Sequence, residues 1–286
     1  MYSQEITRRH HVAIVIAIDQ SCSMRESMIL SGCTMSKAEA VSVVTGRLIE
    51  ELIMRSCRDG EYRHYYDIAL IGYSGDAVYP LLGREIAFYP ITILAEREVD
   101  KSTYTFKQRT LQGSMISFQE EVPIWIKPHA KGATPMYEMI CCVTSLVSEW
   151  CSREENADSF PPLVFNVTDG EASDANYDML RSAALRLRNT GTSDGNTLFM
   201  NIHIASEENN LLPIVFPAIN EVPLEIRHAH LLMDMSSIVP EQLHSHIGLC
   251  RSDAPRPPYI AMSYNSSMLE LISVLSIGSR SLVVGL

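Results

Sequence analysis

Three short segments carry oxygen donors at spacings that suit a metal ion. They are Asp19-Gln-Ser21-Cys-Ser23, Gly132-Ala-Thr134-Pro-Met and Thr168-Asp169-Gly-Glu. The candidate ligands are Asp19, Ser21, Ser23, Thr134 and Asp169, two carboxylates and three hydroxyls. Hard oxygen ligands in a near-octahedral set, with water filling the gaps, suit Mg²⁺ or Mn²⁺. A turn through Asp-x-Ser-x-Ser can aim alternate side chains at one ion. Because the hydroxyls are neutral, such a site leaves the ion partly uncompensated, so a partner's Asp or Glu can complete the sphere.

Other clusters suggest less. His228-Ala-His230 and His244-Ser-His246 could set two imidazoles together on a strand, with Cys250 near, but no tight zinc set is completed. Packed or surface histidines are the expectation there. His10-His11 reads as a polar lead-in to the first strand. Arg181, Arg186 and Arg188 read as a solvated basic face, and Glu171 and Asp174 as a solvated helix N-terminus. Cys22 reads as a packed, inert thiol. Gly72-Tyr-Ser74-Gly75-Asp76 approaches a nucleophile elbow but has Asp76 in place of the second glycine. Neither a Walker A sequence nor GxGxxG occurs. Two carboxylates around one ion could activate a water for phosphoester hydrolysis, yet no general base or second metal is evident.

The elements around these segments alternate between strand and helix. Val12 to Ile18 is apolar at every position, as expected of a strand covered on both faces. Ser36 to Glu39 has capping-box spacing, and Ala38, Val41, Val44, Leu48 and Leu52 predict a helix to about Cys57. Strands are expected over Asp67 to Tyr73 and Asp76 to Leu82, joined by a tight turn at Ser74-Gly75. Ile86 to Leu94 and Val122 to Ile126 look extended, and residues 83–131 read as an excursion of irregular strands or hairpins. Thr134 caps, and Pro135 opens, a helix to about Cys151. Further strands are expected over Leu163 to Thr168 and Leu198 to Ala205, with a helix from Asp174 to Arg188 between them. A loop spans Gly191 to Gly195. Residues 207–258 show no clear period, and Asn265 is expected to cap a last helix, Ser266 to Leu275.

This pattern predicts an α/β fold, a doubly wound, mostly parallel sheet with helices on both faces. In such a sheet the strand C-termini line one edge, which would bring Asp19 and Asp169 together. One domain over residues 1–286, with excursions at about 83–131 and 207–258, is the simplest organisation. The 286 residues include 46% hydrophobic and 20% charged, the balance of a globular chain. A net charge of −11 argues against nonspecific nucleic-acid or anionic-membrane binding. No apolar run is long enough to span a membrane. Seven irregularly spaced cysteines suggest free thiols in a reducing, cytoplasmic setting.

Taken together, Asp19-x-Ser21-x-Ser23, Thr134 within Gly-Ala-Thr-Pro-Met and Asp169 within Val-Thr-Asp-Gly-Glu resemble the metal-ion-dependent adhesion site of von Willebrand factor A domains. Ile68 to Leu82 resembles that family's second and third strands. Val122-Pro-Ile-Trp-Ile-Lys-Pro128, His230 to Pro240 and Leu275 to Arg280 are similar to segments of stand-alone bacterial cytosolic members, of the tellurite-resistance type. The resemblance implies a Rossmann-like fold, and Mg²⁺ or Mn²⁺ held by Asp19, Ser21, Ser23, Thr134 and Asp169. It also implies metal-dependent protein recognition rather than catalysis. The partner would offer an acidic residue, and an associated kinase or phosphatase fits the family's habits. A phosphohydrolase using the same site is the alternative, and a purely structural metal a third.

Overall fold

The computed structural model describes residues 2–109, 115–204, 214–222, 226–245, 247 and 256–266. Its strands are β1 (Val12–Asp19), β2 (Tyr66–Ser74), β3 (Ala77–Pro80), β4 (Tyr89–Pro90), β5 (Lys101–Arg109), β6 (Met115–Pro123), β7 (Leu163–Thr168), β8 (Leu198–Ile204), β9 (Ile214–Val215) and β10 (Met262–Ser266). The helices are α1 (Lys37–Ser56), α2 (Ile91–Ala95), α3 (Met136–Cys151), α4 (Tyr177–Arg188) and α5 (Arg227–Met235). Short hairpins and 3₁₀ turns fill several connections.

Eight strands form one sheet in the order β9-β10-β8-β7-β1-β2-β3, with β4 also pairing β2. The five central strands, β10, β8, β7, β1 and β2, run parallel. From β1 the chain moves through α1 to β2 on one side, then returns to β7 on the other. The strand order therefore reverses between β1 and β7, and a doubly wound sheet opens a crevice at such a point. Asp19 ends β1, and Asp169 follows β7.

Every residue of β1 is buried, as its unbroken apolar run requires. Ile14, Ile16 and Ile18 join a core with Val41, Val44 and Leu48 of α1. Val15 and Ala17 join the opposite core with Met139 and Val143 of α3, Leu180 of α4 and Leu232 of α5. Helices thus cover both faces, which confirms the α/β, mostly parallel architecture. The capping box that opens α1 is complete: Glu39 N–H donates to Ser36 Oγ, and Ser36 N–H to the Glu39 carboxylate.

Within residues 83–131, β5 and β6 form an antiparallel hairpin seated on α1. Arg47 of α1 clamps Glu120 through two hydrogen bonds of 2.9 and 2.8 Å and covers the Phe106 ring at 4.5 Å. Several expectations need correction. The stretch expected to be extended over Ile86 to Leu94 folds into β4 and the short helix α2, whose Ile91 and Leu94 are buried. The loop expected over Gly191 to Gly195 is a tight two-stranded turn. Within residues 207–258, α5 forms because His228, Leu231, Leu232 and Met235 fall on one buried face. Asn265 and Ser266, expected to cap and open a last helix, lie in β10, where Asn265 has φ +57°. The helix expected beyond it lies outside the described residues. Among the described residues, no helix is long and apolar enough to cross a membrane.

Candidate metal centre

The crevice at the β1/β7 edge gathers all three oxygen-bearing segments. Asp19 is wholly buried. Its Oδ1 accepts the Ser21 backbone N–H at 2.8 Å, which curls the turn after β1. Its Oδ2 accepts the Thr168 hydroxyl at 2.8 Å. Ser21 Oγ and Ser23 Oγ lie 3.0 Å apart, so alternate side chains of the turn face one another. Ser23 Oγ donates to Asp169 Oδ1 at 2.6 Å.

Thr134 joins from the third loop. A point one bond from Gly170 Cα, where a β-carbon would stand, is 3.6 Å from Ser23 Oγ and 3.8 Å from Thr134 Oγ1. The two hydroxyls therefore face the same small space beside Gly170. Backbone bonds hold this loop in place: Cys22 N–H to Gly132 O, Lys131 N–H to Gln20 O and Gly75 N–H to Ala133 O. Gly132 has φ +81°, and a β-carbon there would stand 2.7 Å from Gly75 Cα. Only glycine lets the Thr134 loop pass so close to the β2–β3 turn.

Thr134 does not cap α3, as its position suggested. That helix begins at Met136 with no side-chain cap from its own N-terminus. Asp174, from the segment after β7, takes the Tyr137 and Glu138 N–H groups at 3.1 and 2.9 Å. Its carboxylate also meets the positive end of the helix dipole. The Thr134 hydroxyl is thereby free to face the site, and Asp174 is a clamp between loops rather than a solvated helix start.

Lys37, read from sequence only as part of the start of α1, is a central member. Its side chain is 2% exposed, and its ammonium donates to Asp169 Oδ2 at 2.7 Å and to Glu26 Oε2 at 2.7 Å. Thr168 was likewise visible in the Val-Thr-Asp-Gly string but not singled out. Cys22 is exposed rather than packed, because its turn places it on the surface; its Sγ accepts the Gly132 N–H at 3.1 Å. Ser74 sits in a strand-to-strand turn and meets the Tyr79 hydroxyl at 3.0 Å, which is not the strand-to-helix geometry of a nucleophile elbow.

The donor set suits a hard divalent cation. All five side chains offer oxygen, and a buried carboxylate lies at its base. Burial pushes the Asp19 carboxyl up to about 6; hydrogen bonds from Ser21 and Thr168 oppose the rise, and the Asp169 charge adds to it. A cation beside Asp19 would favour the ionised form that burial disfavours.

Among the described residues, the histidines considered for zinc do not form a set. His228 and His230 lie on a helix, not a strand, so their i,i+2 spacing points them apart. His228 packs against His203 and Tyr264, and His244 Nε2 meets Val239 O at 3.1 Å. His246 and Cys250 lie outside the described residues.

No protein-family model matches the chain, and no curated protein matches it. Similar solved structures include von Willebrand factor type A from Catenulispora acidiphila, 15% identical over 68% of this chain and 34% of its own, with a TM-score of 0.40. Proximal thread matrix protein 1 from the mussel byssus is 11% identical over 81% of this chain and 40% of its own, with a TM-score of 0.39. The von Willebrand factor domain of the type V pili tip protein Mfa5 from Porphyromonas gingivalis is 13% identical over 57% and 39%, with a TM-score of 0.32. This chain spans only about a third to two-fifths of those structures. Values this low assign no function.

Proposed function

We propose that the chain is a recognition module of the von Willebrand factor A type that binds a protein partner through one Mg²⁺ or Mn²⁺. Asp19, Ser21, Ser23, Thr134 and Asp169 would hold the ion. When bound, the metal supplies a positive centre on which an acidic side chain of the partner can close. The convergence of three sequence-distant loops on one oxygen-lined crevice, at the point where strand order reverses, carries this reading.

The surroundings favour an acidic partner. Beside Gln20 opens a cleft of about 410 Å³, lined by Tyr79, Trp125, Lys127 and His129. Lys127, His129 and Lys131 are exposed at the end of the 83–131 excursion, and the first two line this cleft. Basic groups beside a metal would steer and orient a carboxylate-bearing surface. A bacterial intracellular complex with a kinase or phosphatase fits the family resemblance.

Recognition is favoured over hydrolysis because both carboxylates are engaged. Asp19 accepts from Ser21 and Thr168, and Asp169 from Ser23 and Lys37, which leaves neither placed as a general base. The test is binding to a display library of peptides with and without an aspartate or glutamate. Acidic peptides retained in Mg²⁺, released by chelator and lost in Asp19→Ala support the reading. Turnover of a generic phosphoester, lost in the same variant, would replace it with the hydrolase.

A further inference from the structure

The opposite edge of the same sheet carries a second cluster of a different chemistry. His11 immediately precedes β1, and Asp67 is the second residue of β2. Ala13 pairs with Asp67 across the two strands, so His11 and Asp67 face the same side, toward α3. His64 lies three residues before Asp67. This cluster is roughly 25 Å from Asp19 along β1, at about 3.3 Å per residue.

The three side chains converge. His11 Nε2 is 2.9 Å from Asp67 Oδ2, and His64 Nε2 is 2.7 Å from Asp67 Oδ1. One ligand atom from each residue falls within 4.8 Å of the others. The imidazoles stack with centroids 4.2 Å apart. Trp150, at the end of α3, donates its indole N–H to Asp67 Oδ2 at 2.8 Å and so fixes the carboxylate from behind. Burial alone would raise the Asp67 carboxyl, but hydrogen bonds from His11, His64 and Trp150 outweigh it and hold it below the usual range.

We propose that His11, His64 and Asp67 form a second metal site, selective for a borderline divalent ion such as Zn²⁺. Two imidazole nitrogens and one carboxylate oxygen suit Zn²⁺, Co²⁺ or Ni²⁺ and disfavour Mg²⁺. Zinc–ligand distances of about 2.0–2.2 Å would set each imidazole nitrogen slightly farther from the carboxylate oxygen it now meets, a shift of tenths of an ångström. Metal binding would exchange the His11–Asp67 hydrogen bond for a coordinate bond: the Nε2 proton moves to the buried Nδ1, which has no hydrogen-bond partner of its own, and the Nε2 lone pair turns to the ion. The Trp150–Asp67 bond is the kind of outer contact that orients a ligand carboxylate. His64, with its side chain 34% exposed, opens the site to solvent and leaves a fourth position for water. The site is independent of the oxygen-lined crevice and stands whether or not that crevice binds Mg²⁺.

The test uses Co²⁺ as a spectroscopic stand-in, with saturating Mg²⁺ present and Cys22→Ser as background so that this exposed thiol cannot compete. The expected result is one equivalent of Co²⁺ with visible absorption bands of a nitrogen-containing, tetrahedral site, displaced by Zn²⁺. His64→Ala and His64→Asn should each weaken it by about 100-fold or more, while Asp19→Ala leaves it unchanged. Because His64 is partly exposed, its variants should fold, which thermal melting in chelator checks. Absence of the bands, or bands equally strong in both His64 variants, would overturn the proposal and leave a hydrogen-bonded His–Asp–His cluster.

Discussion

The Lys37 ammonium lies 2.7 Å from Asp169 Oδ2, while Ser23 holds Oδ1 of the same carboxylate at 2.6 Å. The carboxylate is thus pinned from both sides, with Oδ1 turned toward the hydroxyls. A buried ammonium is costly unless paired, and Glu26 supplies its second carboxylate. Lys37→Met would leave the wholly buried Asp169 side chain without its cation. In chelator we expect a stability loss of about 3–5 kcal/mol by denaturant titration. Mn²⁺ should restore much of it, because the ion then becomes the main counter-charge. A loss of the same size with and without Mn²⁺ would refute that role.

Gly132 sets how closely the Thr134 loop approaches the β2–β3 turn. Gly132→Ala combines a left-handed backbone with a β-carbon 2.7 Å from Gly75 Cα. We expect a destabilisation of about 1–2 kcal/mol or more. Mn²⁺ affinity should fall as well, since Thr134 moves with the loop. Calorimetry on the variant checks this, and unchanged affinity would remove Thr134 from the ligand set.

Asp174 caps α3 from outside that helix. Asp174→Ala should cost about 1 kcal/mol, the usual worth of a lost helix cap. Asp174→Asn, which keeps an acceptor, should cost less. Paired melting curves of the two variants measure the difference.

His203 makes stability fall in acid. Burial holds its imidazole down at about 3, and the nearby His228 and Lys37 add to the effect. Between pH 6.5 and about 3, the unfolded chain binds a proton that the folded chain refuses. That group's contribution is therefore present above pH 6.5 and lost at up to about 1.4 kcal/mol per pH unit as pH falls through this window. His203→Gln should flatten the difference curve there. Equal pH slopes for the two proteins would show that His203 does not titrate in this way.

The central fold was legible because its signals are local. The unbroken apolar run of β1, the capping box at Ser36 and the helical period of α1 each demand one structure. The five oxygen-bearing residues of the crevice were legible because a motif places each just after a strand or before a helix. Lys37 was not, because its role depends on Asp169, 132 residues away in sequence. The same holds for Asp174, whose helix partners come from a different loop. Helix α5 was missed although its buried period is present, because proline-rich flanks masked a pattern only nine residues long. His11 read as a polar lead-in because only the pairing of β1 with β2 sets it against Asp67.

The most direct test of the central claim is titration calorimetry of Mn²⁺ into wild type and Asp19→Ala, with both proteins shown to be folded by circular dichroism. The account expects saturable binding at the crevice in wild type and its loss in the variant. No saturable binding to wild type, or binding unchanged in Asp19→Ala, would contradict it.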